Sequence, residues 1–258
     1  MASSLVLTEI AGPGITRLTL NRAEKRNALS VELMQSLLAA LTAAEKDTTQ
    51  RVLILTGGGP VFCAGLDLAE AADPGRAHQS AGLIAQMLQR LSESRLVTIA
   101  VVRGAAIAGG AGLMSACDFA LAEESAQIGY PETRRGLVAA LVMTFVRRQL
   151  RERDARRILL TGETFSARHA ESIGLINRAL GGEQLMPAAL KIAAEVMQGG
   201  PEAVGRTKQL LAQLWPSPLP ADLERAMGTH RAMRESAEIQ EGVAAFREKR
   251  PPKWAPGK

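Results

Sequence analysis

Cysteine, histidine and long apolar runs are all scarce in this chain of 258 residues. Two cysteines cannot form a disulfide framework, so we expect a reducing compartment and assign the protein to the cytoplasm. No apolar run approaches the roughly 18 residues of a membrane-spanning helix, and the first ten residues lack the pattern of a signal peptide. The three histidines are scattered without metal-ligand spacing, so no metal site is expected.

Aromatic residues make up only 3 % of the chain, although its net charge is +5. A basic surface suits an anionic partner. Nucleic-acid binding, however, usually interleaves aromatic with basic residues, and the chain has no such run. Nucleic acid is therefore not the expected partner, and a small ligand that carries phosphates fits the charge better.

Segments with strand and helix periodicity alternate along the first part of the chain. Strands are predicted at 5–10, 15–20, 52–56, 97–102, 119–122 and 127–130, and helices after Ser30, over 81–92 and over most of the chain from 137. This alternation predicts an α/β fold with parallel strand pairing. Pro201 suits the first position of a helix, and 215–220 is the best linker candidate. We therefore expect an α/β core over 1–200 and a helical region over 201–258.

The segment 105–118 reads Ala-Ala-Ile-Ala-Gly-Gly-Ala-Gly-Leu-Met-Ser-Ala-Cys-Asp and follows the apolar strand 97–102. Gly109, Gly110 and Gly112 carry no side chain, so a ligand can approach the backbone there. The residues after them are compatible with a helix, whose free N–H groups and dipole favour negative charge. The segment predicts a site for a developing oxyanion, with close helix–strand packing as the alternative. It contains neither a dinucleotide-binding nor a Walker-type pattern.

Three motifs, in their order along the chain, resemble the crotonase (enoyl-CoA hydratase/isomerase) superfamily. They are Asn-Arg-Ala-Glu-Lys-Arg-Asn-Ala-Leu-Ser at 21–30, Val-Phe-Cys-Ala-Gly-Leu-Asp-Leu at 61–68, and the glycine segment 105–118. Shorter agreements follow at 129–132, 160–162, 170–176 and 241–254, so the resemblance spans nearly the whole chain. It implies a crotonase-like spiral of β-β-α units with a C-terminal helical region that builds trimers or dimers of trimers.

The same resemblance implies an acyl-CoA substrate and a set of site residues. By motif position, the backbone N–H groups of Ala64 and Gly109 would stabilise an enolate-like oxyanion, and Glu132 would be the catalytic carboxylate. The implied substrate-binding residues are Lys25, Arg26, Phe62, Ala64, Gly65, Leu66, Asp67, Gly110, Gly112, Tyr130, Lys249 and Arg250. Backbone at 62–66 would hold the adenine, and the four basic residues would contact phosphates, Lys249 and Arg250 from the end of a chain. No cofactor is expected, because coenzyme A is part of the substrate.

The chain departs from the family's hydratases at one position. Those enzymes carry a second glutamate where this chain has Gly112. Adding water requires deprotonation of the water and protonation of a carbon, and two carboxylates share those steps. A single carboxylate suits the transfer of one proton between two carbons, as in the family's Δ3,Δ2-enoyl-CoA isomerases. Glu70, Asp73 and His78 are the candidates for a second acid or base.

The sequence therefore predicts an enzyme that performs hydration or double-bond isomerisation with Glu132 as the acid/base. The alternatives are an acyl-CoA decarboxylase or thioester hydrolase of the same superfamily, or a non-catalytic member that binds acyl-CoA or RNA. Cys63 would need a nearby base to act as a nucleophile, so we interpret it as a small buried thiol. Asp67 is also interpreted as a helix cap.

Overall fold

The computed structural model describes residues 4–67, 69–70, 74–214 and 219–251. The strands are β1 (Val6–Gly12), β2 (Ile15–Leu20), β3 (Val52–Gly57), β4 (Val97–Val102), β5 (Ala105–Ile107), β6 (Phe119–Glu123), β7 (Gln127–Gly129), β8 (Thr164–Ser166) and β9 (Arg178–Leu180). The α-helices are α1 (Val31–Lys46), α2 (Pro74–Glu93), α3 (Gly109–Ala116), α4 (Ala140–Gln149), α5 (Glu152–Thr161), α6 (Ala167–Ser172), α7 (Leu185–Gln198), α8 (Pro201–Gln213), α9 (Leu219–Arg234) and α10 (Ala237–Arg247). Short 3-10 helices cover Ala23–Lys25, Pro131–Arg135 and Gly182–Gln184.

The core is a six-stranded sheet in the order β1-β2-β3-β4-β6-β9. Strands β1 and β2 form an antiparallel hairpin, and every other pair in this sheet is parallel. All six residues of β4 are buried, because α7 covers one face of the sheet and α3 lies on the other. The predicted parallel α/β architecture is confirmed.

A second sheet, in the order β5-β7-β8, produces the repeat of the fold. Strand β4 leads into β5 and then α3, and β6 leads into β7 and then a 3-10 helix and α4. An isolated parallel bridge between Cys63 and Ala106 extends the small sheet to the segment after β3, which is followed by α2. These successive β-β-α units are the expected crotonase-like spiral.

Two local predictions are confirmed in atomic detail. The Ser30 side chain caps α1 by accepting the Leu33 N–H, and Pro201 is the first residue of α8. Four strands of the described chain have three residues each. Strand β7 lies within the predicted 127–130, whereas β5, β8 and β9 were not predicted, because so short a segment rarely shows strand periodicity. Helix α2 begins at Pro74, seven residues earlier than predicted.

The C-terminal helices pack against the rest of the chain. Helix α9 contacts α2 and α4, and α10 contacts the 3-10 helix Pro131–Arg135. Of the predicted linker, residues 215–218 lie outside the described residues, and α9 begins at Leu219. The division at residue 200 stays a prediction. Within the described ranges, no helix is both long and apolar enough to cross a membrane.

Candidate active site

The loop of residues 62–67 is fixed on both sides by backbone hydrogen bonds. On one side, the Cys63 N–H donates to the Ala105 carbonyl at 3.1 Å, and the Ile107 N–H donates to the Cys63 carbonyl at 3.0 Å. On the other side, the Leu29 N–H donates to the Gly65 carbonyl at 2.8 Å. The 62–67 loop therefore joins the small sheet to the motif at 21–30. The motifs at 21–30 and 61–68 are thus in direct contact in the folded chain.

Polar side chains stabilise the junction between these two motifs. The amide nitrogen of buried Asn27 donates to the carbonyls of Gly58 at 2.9 Å and Val61 at 2.7 Å. The Arg22 guanidinium donates to Asp67 Oδ2 at 2.6 Å. Burial raises the pKa of Asp67, but the Arg22 hydrogen bond and the Ala69 N–H outweigh burial and hold the pKa below its usual value. The predicted substrate-binding residue Asp67 is thus an ionised partner of Arg22.

The glycines at this site allow the 62–67 loop and α3 to approach closely. A Cβ atom at Gly110 would lie 2.3 Å from the Cys63 carbonyl oxygen, and one at Gly65 would lie 2.8 Å from the Ile107 carbonyl oxygen. Gly65 also has a φ of 90°, which side chains disfavour. The predicted close helix–strand packing is therefore present, and it brings the N-terminus of α3 against the loop.

The two predicted oxyanion donors differ in their environments. The Gly109 N–H is the first of α3, and first-turn N–H groups have no acceptor within their own helix. The Ala64 N–H donates to the carbonyl of Arg26 at 3.0 Å, where Arg26 has a left-handed φ of 52°. An acyl oxygen at Ala64 would share or replace that bond. The role of both N–H groups stays a prediction.

Glu132 is the buried carboxylate of the site. It lies in the first turn of the 3-10 helix that begins at Pro131, and it is 9 % exposed. Its Oε2 atom is buried and has no hydrogen-bond partner in the described part of the chain. Burial raises the pKa of Glu132 to about 7, against the lowering effects of its own backbone N–H and of Arg135. A carboxyl group that titrates near neutral pH can both accept and return a proton.

A cavity of about 60 Å³ joins Glu132 to the start of α3. Apolar side chains of α10 form one wall, and α10 itself lies tightly on the 3-10 helix, since a Cβ at Gly242 would lie 2.1 Å from the Arg135 carbonyl oxygen. The lining residues are Leu66, Ala108, Gly109, Glu132, Arg135, Leu137, Arg234, Ile239, Gly242, Val243 and Phe246. The structure thus brings Leu66, Gly109 and Glu132 of the predicted site to one enclosed space.

A larger cleft, of about 790 Å³, lies between α8 and the ends of α3 and α4. None of the predicted catalytic residues lines it. We therefore place the candidate chemistry in the smaller cavity, where the titratable carboxylate and the helix N-terminus meet.

The two candidates for a second acid or base that the structure describes, Glu70 and His78, do not line the cavity. Glu70 accepts the Val31 N–H at 2.9 Å and forms an ion pair with Arg76 at 2.8 Å. His78 is exposed on α2. Asp73 lies outside the described residues. Among the residues that the structure describes, Glu132 is the one carboxylate in the cavity wall.

Three other predicted residues are buried beside the site without lining its cavity. Tyr130 is fully buried, and its hydroxyl group shares a 2.8 Å hydrogen bond with Ser115 Oγ. Phe62 is also fully buried. The Cys63 thiol donates to the Asn27 carbonyl at 3.1 Å, and burial raises its pKa to about 12. These properties agree with the interpretation of Cys63 as a buried thiol.

The predicted phosphate contacts lie on the surface, away from the cavity wall. Lys25 and Arg26 are exposed in the 23–26 turn, and Lys249 is exposed after α10. Arg250 is held by ion pairs to Glu241 at 2.7 Å and Glu248 at 2.6 Å. A phosphate would compete with those carboxylates for Arg250. The phosphate role of all four residues stays a prediction.

Two arginines of the cavity were missed by sequence reasoning. Arg135 stacks over the Phe246 ring with 5.2 Å between the guanidinium carbon and the ring centroid, and Arg234 comes from the last turn of α9. A basic residue in a last helical turn normally complements the helix dipole, so Arg234 gave no distinct signal.

The fold and this cavity define an α/β protein in which a buried carboxylate and the N-terminus of a glycine-rich helix line one enclosed space. A family model for enoyl-CoA hydratase/isomerase matches residues 11–257. The chain belongs to this family, within the crotonase superfamily, and is an enzyme that acts on acyl-CoA.

Relatives and solved structures agree over nearly the full length. The chain is 38 % identical to a putative enoyl-CoA hydratase of Thermus thermophilus, over 91 % of this chain and 95 % of that protein. It is 34 % identical to the mevalonyl-coenzyme A hydratase sidH of Aspergillus fumigatus, over 98 % of this chain and 95 % of that protein. The crystal structure of an enoyl-CoA hydratase from Mycobacterium avium matches with a TM-score of 0.88 and 35 % identity, covering 98 % of this chain and all of that one.

Proposed function

We propose that this enzyme shifts a carbon–carbon double bond next to an acyl-CoA thioester, with Glu132 as the single acid/base that moves the proton. One observation carries the proposal: Glu132 is the one carboxylate among the described lining residues, and its pKa is raised to about 7. Near neutral pH, a substantial fraction of Glu132 is ionised and ready to accept a proton.

The reaction divides into two proton transfers. Ionised Glu132 removes a proton from C2 of a 3-enoyl thioester, and the electron pair left on C2 delocalises directly onto the thioester oxygen and, through the C3–C4 double bond, onto C4. N–H groups at the start of α3, with that of Gly109 first, stabilise the developing negative charge. Protonated Glu132 then returns the proton to C4, which gives the 2-enoyl thioester. No atom is gained or lost.

The environment of Gly112 supports a mechanism with one carboxylate. Val142 of α4 packs against Gly112, so that a Cβ at position 112 would lie 2.2 Å from Val142 Cγ1. An aliphatic side chain therefore occupies the space that a second glutamate side chain would enter. The chain therefore has neither a carboxylate at position 112 nor the space for one. This disfavours a hydration mechanism that two carboxylates share.

Hydration of a 2-enoyl thioester is the second candidate, favoured by the names of the Thermus and Aspergillus relatives. Glu132 would then both deprotonate the water and protonate the α-carbon, or a group outside the described residues, such as Asp73, would assist. Decarboxylation and non-catalytic binding of acyl-CoA or RNA are weaker candidates, because neither requires a base that titrates near neutral pH. Thioester hydrolysis would use Glu132 to activate a water molecule, and no specific observation favours it.

Further properties remain part of the proposal. We propose that the enzyme works without a cofactor beyond the coenzyme A of its substrate, that it assembles as a homotrimer or a dimer of trimers, and that it acts in the cytoplasm. The basic residues Lys25, Arg26, Lys249 and Arg250 are proposed to contact the phosphates of coenzyme A, with the 62–66 backbone against the adenine.

Isotope labelling tests the proposed reaction. The enzyme is incubated with 3-hexenoyl-CoA in deuterated water and, separately, with crotonyl-CoA in heavy-oxygen water, and the products are analysed by mass spectrometry. Isomerisation predicts a 2-enoyl product without added water. Addition of one labelled water to crotonyl-CoA, with no isomerisation, would establish hydration instead.

A pair of variants tests the role of Glu132 in the same assay. Glu132→Gln should lower turnover by about a hundredfold to ten-thousandfold while acyl-CoA affinity stays nearly unchanged. The matched control is Glu152→Gln, which removes an exposed carboxylate from α5 and should leave turnover unchanged. Near-normal turnover of Glu132→Gln would remove Glu132 from the mechanism.

A further inference from the structure

Arg234 is a cation of the cavity without a counter-charge in the described part of the chain. It lies in the last turn of α9, is half-buried, and lines the same cavity as Glu132. Its Nε and Nη2 atoms are buried and have no hydrogen-bond partner among the described residues. Burial of a guanidinium without compensation is costly, so a protein that keeps one in a cavity usually satisfies it with a ligand or a partner group.

Glu132 does not supply that compensation. The two side chains share a cavity, yet no ion pair joins them within the described ranges, and Glu132 Oε2 is itself without a partner. The other cation, Arg135, stacks on the Phe246 ring and lowers the pKa of Glu132. Of the two cavity arginines, Arg234 is therefore the one whose Nε and Nη2 groups can donate hydrogen bonds to a ligand.

The unsatisfied atoms indicate the shape of that ligand. Nε and Nη2 lie on one edge of the planar guanidinium and present two parallel N–H groups, which match the two oxygens of a carboxylate. A phosphate group fits less well, since most of the other side chains that line this cavity of about 60 Å³ are apolar. The thioester oxygen has a donor of its own in the Gly109 N–H at the start of α3. The carboxylate must therefore belong to another part of the ligand.

We propose that Arg234 binds a carboxylate at the far end of the acyl chain, so that the preferred substrates are coenzyme A monothioesters of short dicarboxylic acids. This inference rests on the proposed acyl-CoA function and adds the substrate class. The small volume of the cavity limits the acyl chain to a short one, and Leu137, Ile239 and Val243 contact its methylene groups.

Binding of saturated thioesters tests this proposal without any reaction, because they contain no double bond to move or hydrate. Isothermal titration calorimetry compares glutaryl-CoA with pentanoyl-CoA, and adipyl-CoA with hexanoyl-CoA. Within each pair the chain length is the same, and only the terminal carboxylate differs. We expect the carboxylate to improve affinity by about tenfold to a hundredfold in at least one pair, as for a buried charge-assisted bidentate contact.

Variants on α9 assign the preference to one side chain. Arg234→Met keeps the length of the side chain and removes the charge, so it should abolish the preference and leave pentanoyl-CoA affinity unchanged or higher. Arg234→Lys keeps the charge without the fork and should retain part of the preference. The control is Arg231→Met, which removes an exposed arginine one turn earlier on the same helix.

The outcomes separate this inference from the proposed function. Equal affinity within both pairs for the unmodified enzyme, or a preference that survives in Arg234→Met, would overturn the inference and leave the acyl-CoA function standing. If the enzyme bound none of the four thioesters, the proposed function would be overturned as well. The first comparison uses the unmodified enzyme. It therefore tests the inference even if a variant fails to fold.

Discussion

Gly112 and Val142 are packed so closely that a single carbon added to Gly112 would lie 2.2 Å from Val142 Cγ1. This contact joins α3, which begins at the candidate oxyanion site, to α4, which follows the 3-10 helix of Glu132. At the position where the resemblance to the family's hydratases implies a second glutamate, this chain therefore has a glycine with an aliphatic side chain packed against it. The described contact makes this side of the site apolar.

Gly112→Ala should destabilise the protein, because the added methyl group overpacks the contact between α3 and α4. We expect a loss of about 1–3 kcal/mol in the free energy of unfolding. Val142→Ala in the same chain should restore part of it. The control is Gly82→Ala on α2, where a Cβ meets nothing within 4 Å and should stabilise the helix by up to about 1 kcal/mol. Denaturant unfolding measures all four proteins, and equal effects at both glycines would contradict the packing argument.

The rate of the enzyme should rise with pH through about 7. Isomerisation starts from the ionised carboxylate, and burial raises the pKa of Glu132 to about 7. Below that pH, Glu132 is mainly protonated and cannot remove the C2 proton. A profile of kcat/KM between pH 5 and 9 checks this. A rate that is flat across this range would show that Glu132 does not act as a base in the rate-limiting step.

Glu132→Gln should stabilise the protein, and the gain should grow with pH. The folded pKa of Glu132 lies near 7, above its ordinary value of 4.5, so the folded state binds the proton more tightly than the unfolded state. The contribution of this group to stability therefore falls as pH rises between those values. Below about pH 4.5 the variant and the unmodified protein should be equally stable, and above pH 7 the variant should be more stable by about 3 kcal/mol. Thermal unfolding at pH 4.5 and pH 8 tests the sign, and a variant that is less stable at pH 8 would contradict it.

Much of the fold could be predicted because its longest elements repeat a clear pattern. The strand Val97–Val102 is an unbroken apolar segment, and the cap of Ser30 is followed by apolar residues at helical spacing. Strands β5 and β8 of the small sheet carry no such pattern. Their pairing depends on distant segments of the same chain, as does the bridge between Cys63 and Ala106, which only the assembled fold brings together.

The residues of the candidate site likewise fall into two groups, those that a sequence motif predicts and those that only tertiary packing brings to the cavity. Gly109 and Glu132 belong to motifs that are visible in the sequence, and each lies within a short element, α3 or the 3-10 helix Pro131–Arg135, that brings it to the cavity. Arg135 lies beside Glu132 but resembles a surface residue in the sequence, and Arg234 reaches the cavity through the packing of α9 and α10 onto a distant part of the chain. Such tertiary contacts leave no local signal, so the positive charge of the cavity was not predictable.

Cys63 and Cys117 should resist alkylation in the native protein. Burial raises the pKa of both thiols to about 12, and Asp118 contributes to the shift at Cys117. At pH 8 only about one part in ten thousand would be thiolate, and both sulfur atoms are enclosed. Iodoacetamide labelling followed by mass spectrometry should show no modification until denaturant is added. Cys63→Ala should keep turnover within a few-fold, whereas complete loss of activity in a folded variant would reopen a nucleophilic role.

Gly242→Ala should disturb the cavity from its opposite wall. A Cβ at position 242 would lie 2.1 Å from the Arg135 carbonyl oxygen, and this atom belongs to backbone that cannot rotate away. Helix α10 must therefore move off the 3-10 helix, which admits water to Glu132 and lowers its pKa toward the ordinary value. We expect the pH–rate midpoint to shift down together with a loss of turnover. Gly228→Ala on α9 meets open space and is the matched control. An unchanged midpoint in a folded Gly242→Ala variant would show that α10 does not set the environment of the carboxylate.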